Sequence, residues 1–220
     1  MENRMLCYQC ESAADSKCCN STAGICGKTA ETSYLQDVLT GALVGLAKAS
    51  VHKSIDEEIQ WLTVEGLCAT AAHANFADQR LLALIDRVQE AKKRFRPKYG
   101  DHNAGLKIPE DFDIRLIWQK SPDIRSLKSL LLFGIRGTAS YAYESWVLGY
   151  QNKETATFFH KALIALGANH FKEDYFDLLK EMGDVNLRAM ELLHKAKNET
   201  YGQPSPVEVP RVIDAPLTLP

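Results

Sequence analysis

Residues 33–49 read SYLQDVLTGALVGLAKA, and this stretch decides the fold class. Its apolar residues recur at steps of three and four, which is typical of a helix with one buried face. The repeating positions are Leu35, Leu39, Ala42, Leu43 and Leu46. The first four residues have the form of a capping box, so we expect a helix to begin at Ser33.

Five later segments carry similar signals of helix start, period and stop. They are a helix opened by a capping box at 54–57, one from Asn75 or Asp78 to the residues before Pro97, one from Pro122 to about Leu148, one from Asn152 to Gly167 and one over roughly 172–198. No convincing strand occurs between them. The sequence therefore predicts an all-α fold whose six main helices form two antiparallel three-helix bundles.

These helices divide the chain into five parts. They are a cysteine-rich segment over 1–32, a first bundle over 33–97, a connection over 98–120, a second bundle over 121–202 and a tail over 203–220. The tail contains five prolines, and it is predicted to be extended rather than regular.

The composition of the 220 residues excludes several classes of protein. The chain is 45% hydrophobic and 25% charged, which is ordinary for a globular protein, and its net charge is −2. That charge gives no basic surface for nucleic acid. The apolar runs are too short to span a membrane, and the N-terminus lacks the pattern of a secretory signal. We therefore expect a cytoplasmic protein.

The cysteines are crowded at one end of the chain. Five of the six lie within residues 7–26, and the sixth, Cys68, stands alone. Disulfides stabilise mainly by closing long loops, and crowded cysteines close almost none. Thiolates crowded in a short irregular segment are typical of a metal or cluster site. Cys68 is predicted to be a small buried residue with no chemical role.

The spacing leaves the third ligand open. Cys7 and Cys10 lie on one turn with two residues between them, and Cys26 supplies a fourth ligand. Choosing Cys19 as the third gives further gaps of eight and six residues, and choosing Cys18 gives seven and seven. Neither is a ferredoxin pattern. The spacing favours an iron–sulfur cluster weakly over a four-cysteine zinc site.

Other residues are expected to be structural. The histidines on predicted helices, His73, His160 and His194, are interpreted as surface or hydrogen-bonded groups rather than ligands. Gly41 and Gly45 are spaced to permit close packing between helices. We recognise no catalytic carboxylate pair, nucleophile triad or phosphate loop, so no catalytic residue is assigned.

Several stretches carry a resemblance to a known family. They are CYQCE at 7–11, GICGKTAET at 24–32, LQDVL at 35–39, GIRGTASY at 134–141, VLG at 147–149 and YGQPSP at 201–206. Together they closely resemble the N-terminal helical domain of the hybrid cluster proteins, also called prismane proteins or hydroxylamine reductases. The resemblance covers essentially the whole chain.

The resemblance implies an iron–sulfur cluster near the N-terminus. The family has one cysteine spacing that carries [4Fe-4S] and another known with [2Fe-2S]. Counted through Cys19, this chain matches the first spacing before the third ligand and the second spacing after it. We favour Cys7, Cys10, Cys19 and Cys26 with [4Fe-4S]. Cys18 as the third ligand and [2Fe-2S] are the alternatives.

The same resemblance bears on function. The family reduces hydroxylamine or nitric oxide at a hybrid cluster whose cysteine, histidine and glutamate ligands all lie beyond the N-terminal domain. After Cys26 this chain has only Cys68, so we do not expect it to carry that chemistry alone. We expect single-electron transfer or docking to a redox partner, and association with a second copy of the chain is also possible. The alternatives are a subunit of a split hydroxylamine or nitric oxide reductase, and a structural protein or sensor of oxygen or nitric oxide.

Overall fold

A computed structural model describes residues 5, 7, 9–10, 19, 22–51, 53–71, 74–95 and 110–205. These residues form seven α-helices, and their extended pairings are two isolated bridges, Cys7 with Cys19 and Ala23 with Thr29. The helices are α1 Ala30–Ala49, α2 Glu57–Ala69, α3 Asp78–Lys93, α4 Arg115–Trp118, α5 Pro122–Val147, α6 Lys153–Leu166 and α7 Lys172–Tyr201. The all-α prediction is confirmed.

The helix starts follow from local capping. At α6, Asn152 Oδ1 accepts hydrogen bonds from the backbone N–H groups of Glu154 and Thr155 at 2.9 and 3.1 Å, as predicted. The prediction that α1 begins at Ser33 is wrong by one turn. Thr29 caps that helix instead, because its Oγ1 accepts from the Thr32 N–H at 3.1 Å and its backbone is extended.

The two predicted helix sets share one hydrophobic core. The most extensive packing joins α5 to α7 and α1 to α3, and α2 also packs on α5 while α1 and α2 pack on α6. Side chains from all seven helices enter the same core, for example Leu39, Leu62, Leu81, Ile117, Leu132, Phe159 and Tyr175. None of the described helices is long and apolar enough to cross a lipid bilayer.

The connection between the helix sets crosses α1 at its glycines. The Phe112 N–H donates to the Gly41 carbonyl at 3.1 Å, and a Cβ on Gly41 would collide with the Phe112 carbonyl oxygen. A Cβ on Gly45 would lie 2.6 Å from Asp111 Oδ1. The prediction that these glycines allow close packing of a second helix is therefore wrong. They instead allow the irregular segment just before α4 to approach α1 closely.

His160 is a hydrogen-bonded core residue, as the sequence suggested. Its Nε2 lies 3.0 Å from Thr63 Oγ1 and its Nδ1 lies 3.5 Å from Ser50 Oγ. Burial lowers the pKa of His160 to about 4, so the ring is neutral at physiological pH.

Some sequence predictions concern residues outside the described ranges. These are Cys18, His73, residues 98–109 of the predicted connection and the predicted tail from residue 206. Cys68 is described, and the prediction that it is buried is only half right. It is half-buried one residue before the end of α2, and burial raises the pKa of its thiol.

Candidate iron–sulfur site

The four favoured ligands lie in the segment before α1, at different depths. Cys7 is buried, Cys10 and Cys19 are half-buried, and Cys26 is exposed; all four are free thiols. Cys7 and Cys19 face each other across an antiparallel bridge, in which the Cys7 N–H donates to the Cys19 carbonyl at 3.3 Å. The fold thus brings the first and third predicted ligands together.

Cys26 sits on a tight turn that leads into α1. The Gly24 N–H donates to the Lys28 carbonyl at 2.8 Å, and the Gly27 N–H donates to the Gly24 carbonyl at 2.9 Å. Gly27 has a φ of +83°, a conformation that glycine adopts at no steric cost. The Cys26 sulfur lies back over this turn, 3.4 Å from where a Cβ on Gly24 would stand.

The described residues do not form a closed metal site. Within the ranges that the structure covers, no three histidine, cysteine or carboxylate side chains are grouped closely enough to hold a metal ion. Cys18 lies outside those ranges. The ligand set named from the sequence therefore stays a prediction.

A buried layer of polar side chains lies beneath the cysteines. Lys28 is 1% exposed, and its ammonium donates to Gln36 Oε1 at 2.5 Å and lies 5.5 Å from the centre of the Phe76 ring. Gln36 Nε2 in turn donates to the Asn75 carbonyl at 2.9 Å. Burial lowers the pKa of Lys28, and the nearby thiols of Cys7 and Cys26 oppose that effect.

The layer joins the cysteine segment to α1 through Gln9 and Asp37. Gln9, which lies between Cys7 and Cys10, is buried and donates from Nε2 to Asp37 Oδ1. Burial raises the pKa of Asp37 to about 7, against the opposing positive charges of Arg136 and Lys28.

Arg136 brings α5 into the same layer. The side chain is 2% exposed; its Nε donates to Thr70 Oγ1 at 3.1 Å and its Nη2 to Thr40 Oγ1 at 2.8 Å. Arg136 Nη1 is buried and has no hydrogen-bond partner within the described ranges. Burial lowers the pKa of Arg136 to about 10, and the charges of Asp37 and Cys7 oppose that effect.

These residues suit an anionic group held by thiolates. Lys28 and Arg136 both interact electrostatically with Cys7, and Arg136 has an N–H group that no atom of the described residues accepts. Burial raises the pKa of the Cys7 thiol and the charge of Asp37 adds to that effect, while the charge of Lys28 lowers the pKa. Cysteine sulfur is the donor that iron–sulfur clusters use. The chemistry of the site therefore fits such a cluster.

The polar layer was not recognised in the sequence. The available signal was a charge on an apolar helix face, because Arg136 lies among Leu132, Ile135 and Ala139, which are all fully buried. Lys28 carried no such signal, since it precedes the helix. Its burial depends on how the turn packs against α1.

Comparison with known proteins identifies the family of the chain. The Prismane/CO dehydrogenase family matches residues 5–214 of the chain. The chain belongs to that family. The resemblance noted from the sequence is thereby confirmed at the level of the family.

Three curated relatives are considerably longer than this chain. It is 33% identical to a hydroxylamine reductase of Methanocella arvoryzae, 32% identical to that of Maridesulfovibrio salexigens and 30% identical to that of Clostridium novyi. The alignments cover 93–94% of this chain and 41–42% of the relatives. The chain thus spans about two fifths of the length of the relatives it matches.

Proposed function

We propose that this prismane-family chain binds one [4Fe-4S] cluster through Cys7, Cys10, Cys19 and Cys26 and exchanges single electrons with a partner protein. The observation that carries the proposal is the antiparallel pairing of Cys7 with Cys19, together with two buried cations, Lys28 and Arg136, that both interact electrostatically with Cys7. When bound, such a cluster supplies a one-electron redox couple.

The chain's own residues give this site a buried side and an open side. Cys7, Gln9 and Lys28 close it toward the helices, where they exclude water. Cys26 is exposed, and its neighbour Ile25 is 95% exposed on the same turn. A partner protein could approach the site from the turn of Cys26, because that side is not covered by any helix of the chain's described part.

Metal analysis tests the cluster itself. Protein prepared without oxygen is assayed for iron, acid-labile sulfide and zinc, and examined by EPR after reduction. We expect about four iron and four sulfide ions per chain. About two of each would favour [2Fe-2S], whereas zinc without sulfide would overturn the proposal. A loaded protein with no reversible redox transition would overturn electron transfer.

The third ligand is tested by a matched pair of variants. Cys19→Ser is expected to abolish or strongly reduce iron binding, because Cys19 is the cysteine paired with Cys7. Cys18→Ser is the control, and it is expected to keep the wild-type iron content. Equal retention in both variants would show that Cys19 has no privileged role.

A second candidate function is supported by the names of the relatives. Because the curated relatives that the chain matches are called hydroxylamine reductase, we propose as the alternative that it is one subunit of a split hydroxylamine or nitric oxide reductase. Affinity purification from the native cells tests this. A stoichiometric partner rich in cysteine is expected, and a chain that purifies alone would argue against it.

A further inference from the structure

We propose that Arg136 and Lys28 form a buried cation pair that stabilises the negative charge of the cluster and thereby raises its reduction potential. The inference rests on the cluster binding proposed above. It concerns two positioning residues, neither of which is a ligand.

The first step is that Arg136 has too little negative charge around it. Its two hydrogen-bond acceptors, Thr40 Oγ1 and Thr70 Oγ1, are neutral, and its Nη1 has no acceptor among the residues that the structure describes. A buried charge is costly unless it is both paired and hydrogen-bonded. Asp37 and Cys7 are the anionic groups of the described chain that favour its charged form.

The second step is that Lys28 interacts electrostatically with the thiol of Cys7, as Arg136 does, and also with the thiol of Cys26. Its ammonium donates to the neutral amide oxygen of Gln36, and the groups that most favour its charge are Cys7 and Cys26. Lys28 enters from the turn before α1, whereas Arg136 enters from α5. Cys7 therefore lies under the influence of both cations.

The third step is a balance of charge. Among the described residues, Asp37 is the carboxylate that acts on both cations, so at least one of their two positive charges is uncompensated when the thiols are neutral. Four thiolates around an iron–sulfur core carry net negative charge and would supply the missing anion. Reduction adds one more negative charge, so fixed cations nearby favour the reduced form.

The test compares neutral and charged replacements of Arg136. Arg136→Gln keeps an amide that can hydrogen-bond to Thr40 but removes the charge, and Arg136→Lys keeps the charge. The reduction potential of the loaded protein is measured by anaerobic redox titration at fixed pH and ionic strength. We expect Arg136→Gln to shift the equilibrium at least about tenfold toward the oxidised form, which is about 59 mV for a one-electron couple. Arg136→Lys is expected to shift it far less.

Lys128 provides a matched control on the same helix. It is 2% exposed, and its ammonium donates to the carbonyls of Leu166 and Ala168 at 2.9 and 2.8 Å, away from the cysteines. Lys128→Gln also removes a buried cation from α5, so it is expected to lower stability but leave the potential unchanged. An equal shift in Lys128→Gln and Arg136→Gln, or no shift in Arg136→Gln, would overturn the inference.

Lys28→Gln keeps the inference testable if Arg136→Gln does not fold. Lys28 lies outside the helices, and its replacement is expected to shift the potential in the same direction. An unchanged potential in Lys28→Gln would overturn the cation pair. The two proposals fail in different ways: wild-type protein without iron and sulfide contradicts the cluster, whereas a normal cluster with unchanged variant potentials contradicts only the cation pair.

Discussion

His160 shows how one buried side chain ties stability to pH. The ring is neutral in the fold because burial lowers its pKa to about 4, while the same group in the unfolded chain titrates near 6.5. Below pH 6.5 the unfolded chain therefore binds a proton that the folded chain does not bind. His160 stabilises the fold fully above pH 6.5, and that stabilisation is lost as the pH falls toward 4.

The loss of stability with falling pH gives a measurable prediction for His160→Gln. Between pH 7.5 and pH 5, the wild type should lose about 2 kcal/mol more unfolding free energy than the variant. Urea unfolding at the two pH values measures the difference. His194→Gln is the control, because His194 is exposed on α7 and should leave the wild-type pH dependence unchanged. The same pH dependence in all three proteins would contradict the assignment.

Among single residues, the sequence predicts the cysteines as candidate ligands, but it does not predict which charged side chains lie near them. Five thiols within 20 residues predict a metal or cluster site whatever the fold. Arg136 and Asp37 act on that site only because α5 packs against the core that α1 also enters. A contact across some hundred residues of chain leaves no local pattern in a single sequence.

At the scale of the element, replacing a helix glycine with alanine is expected to lower stability at one position and raise it at others. Gly41 lies against the Phe112 carbonyl oxygen, so a methyl group there must displace backbone. We expect Gly41→Ala to destabilise the protein by about 1–3 kcal/mol. Chemical denaturation with circular dichroism detection measures this change.

Gly137 and Gly183 are the matched controls for that substitution. Both lie inside long helices, α5 and α7, and a Cβ on either would meet nothing within 4 Å. Alanine is the better helix former, so Gly137→Ala and Gly183→Ala should raise stability by up to about 1 kcal/mol. If Gly41→Ala also stabilised, the close crossing of the connection over α1 would be refuted.

The positions of the long helices are easier to predict from the sequence than the short helix and the residue at which a helix begins. The six long helices follow from apolar residues at steps of three and four, and from caps such as Asn152. The four-residue α4 was missed, because one turn is too short to show a period. The predicted start of α1 at Ser33 is one turn too late. Thr29 caps the helix instead, because its Oγ1 accepts a hydrogen bond from the Thr32 N–H.

On the scale of the whole molecule, the described part of the cysteine segment lies outside the hydrophobic core. The core side chains come from helices α1 to α7 and from Ile114, and the buried residues Met5 and Cys7 are not among them. Removing iron with a chelator should therefore leave most of the helical signal in far-UV circular dichroism. Loss of more than about a third of that signal would contradict this independence.

The hydrogen bonds around the cysteine segment limit how far the proposed site could be transferred to another protein. Gln9 donates to Asp37 on α1, and Arg136 on α5 donates to Thr40, whose hydroxyl donates to the Gln36 carbonyl. A cysteine segment grafted onto another scaffold would carry its sulfurs but leave the groups of α1 and α5 behind. The proposed redox site thus depends on both helix sets, and we expect a cluster in the transplanted segment to have a different reduction potential.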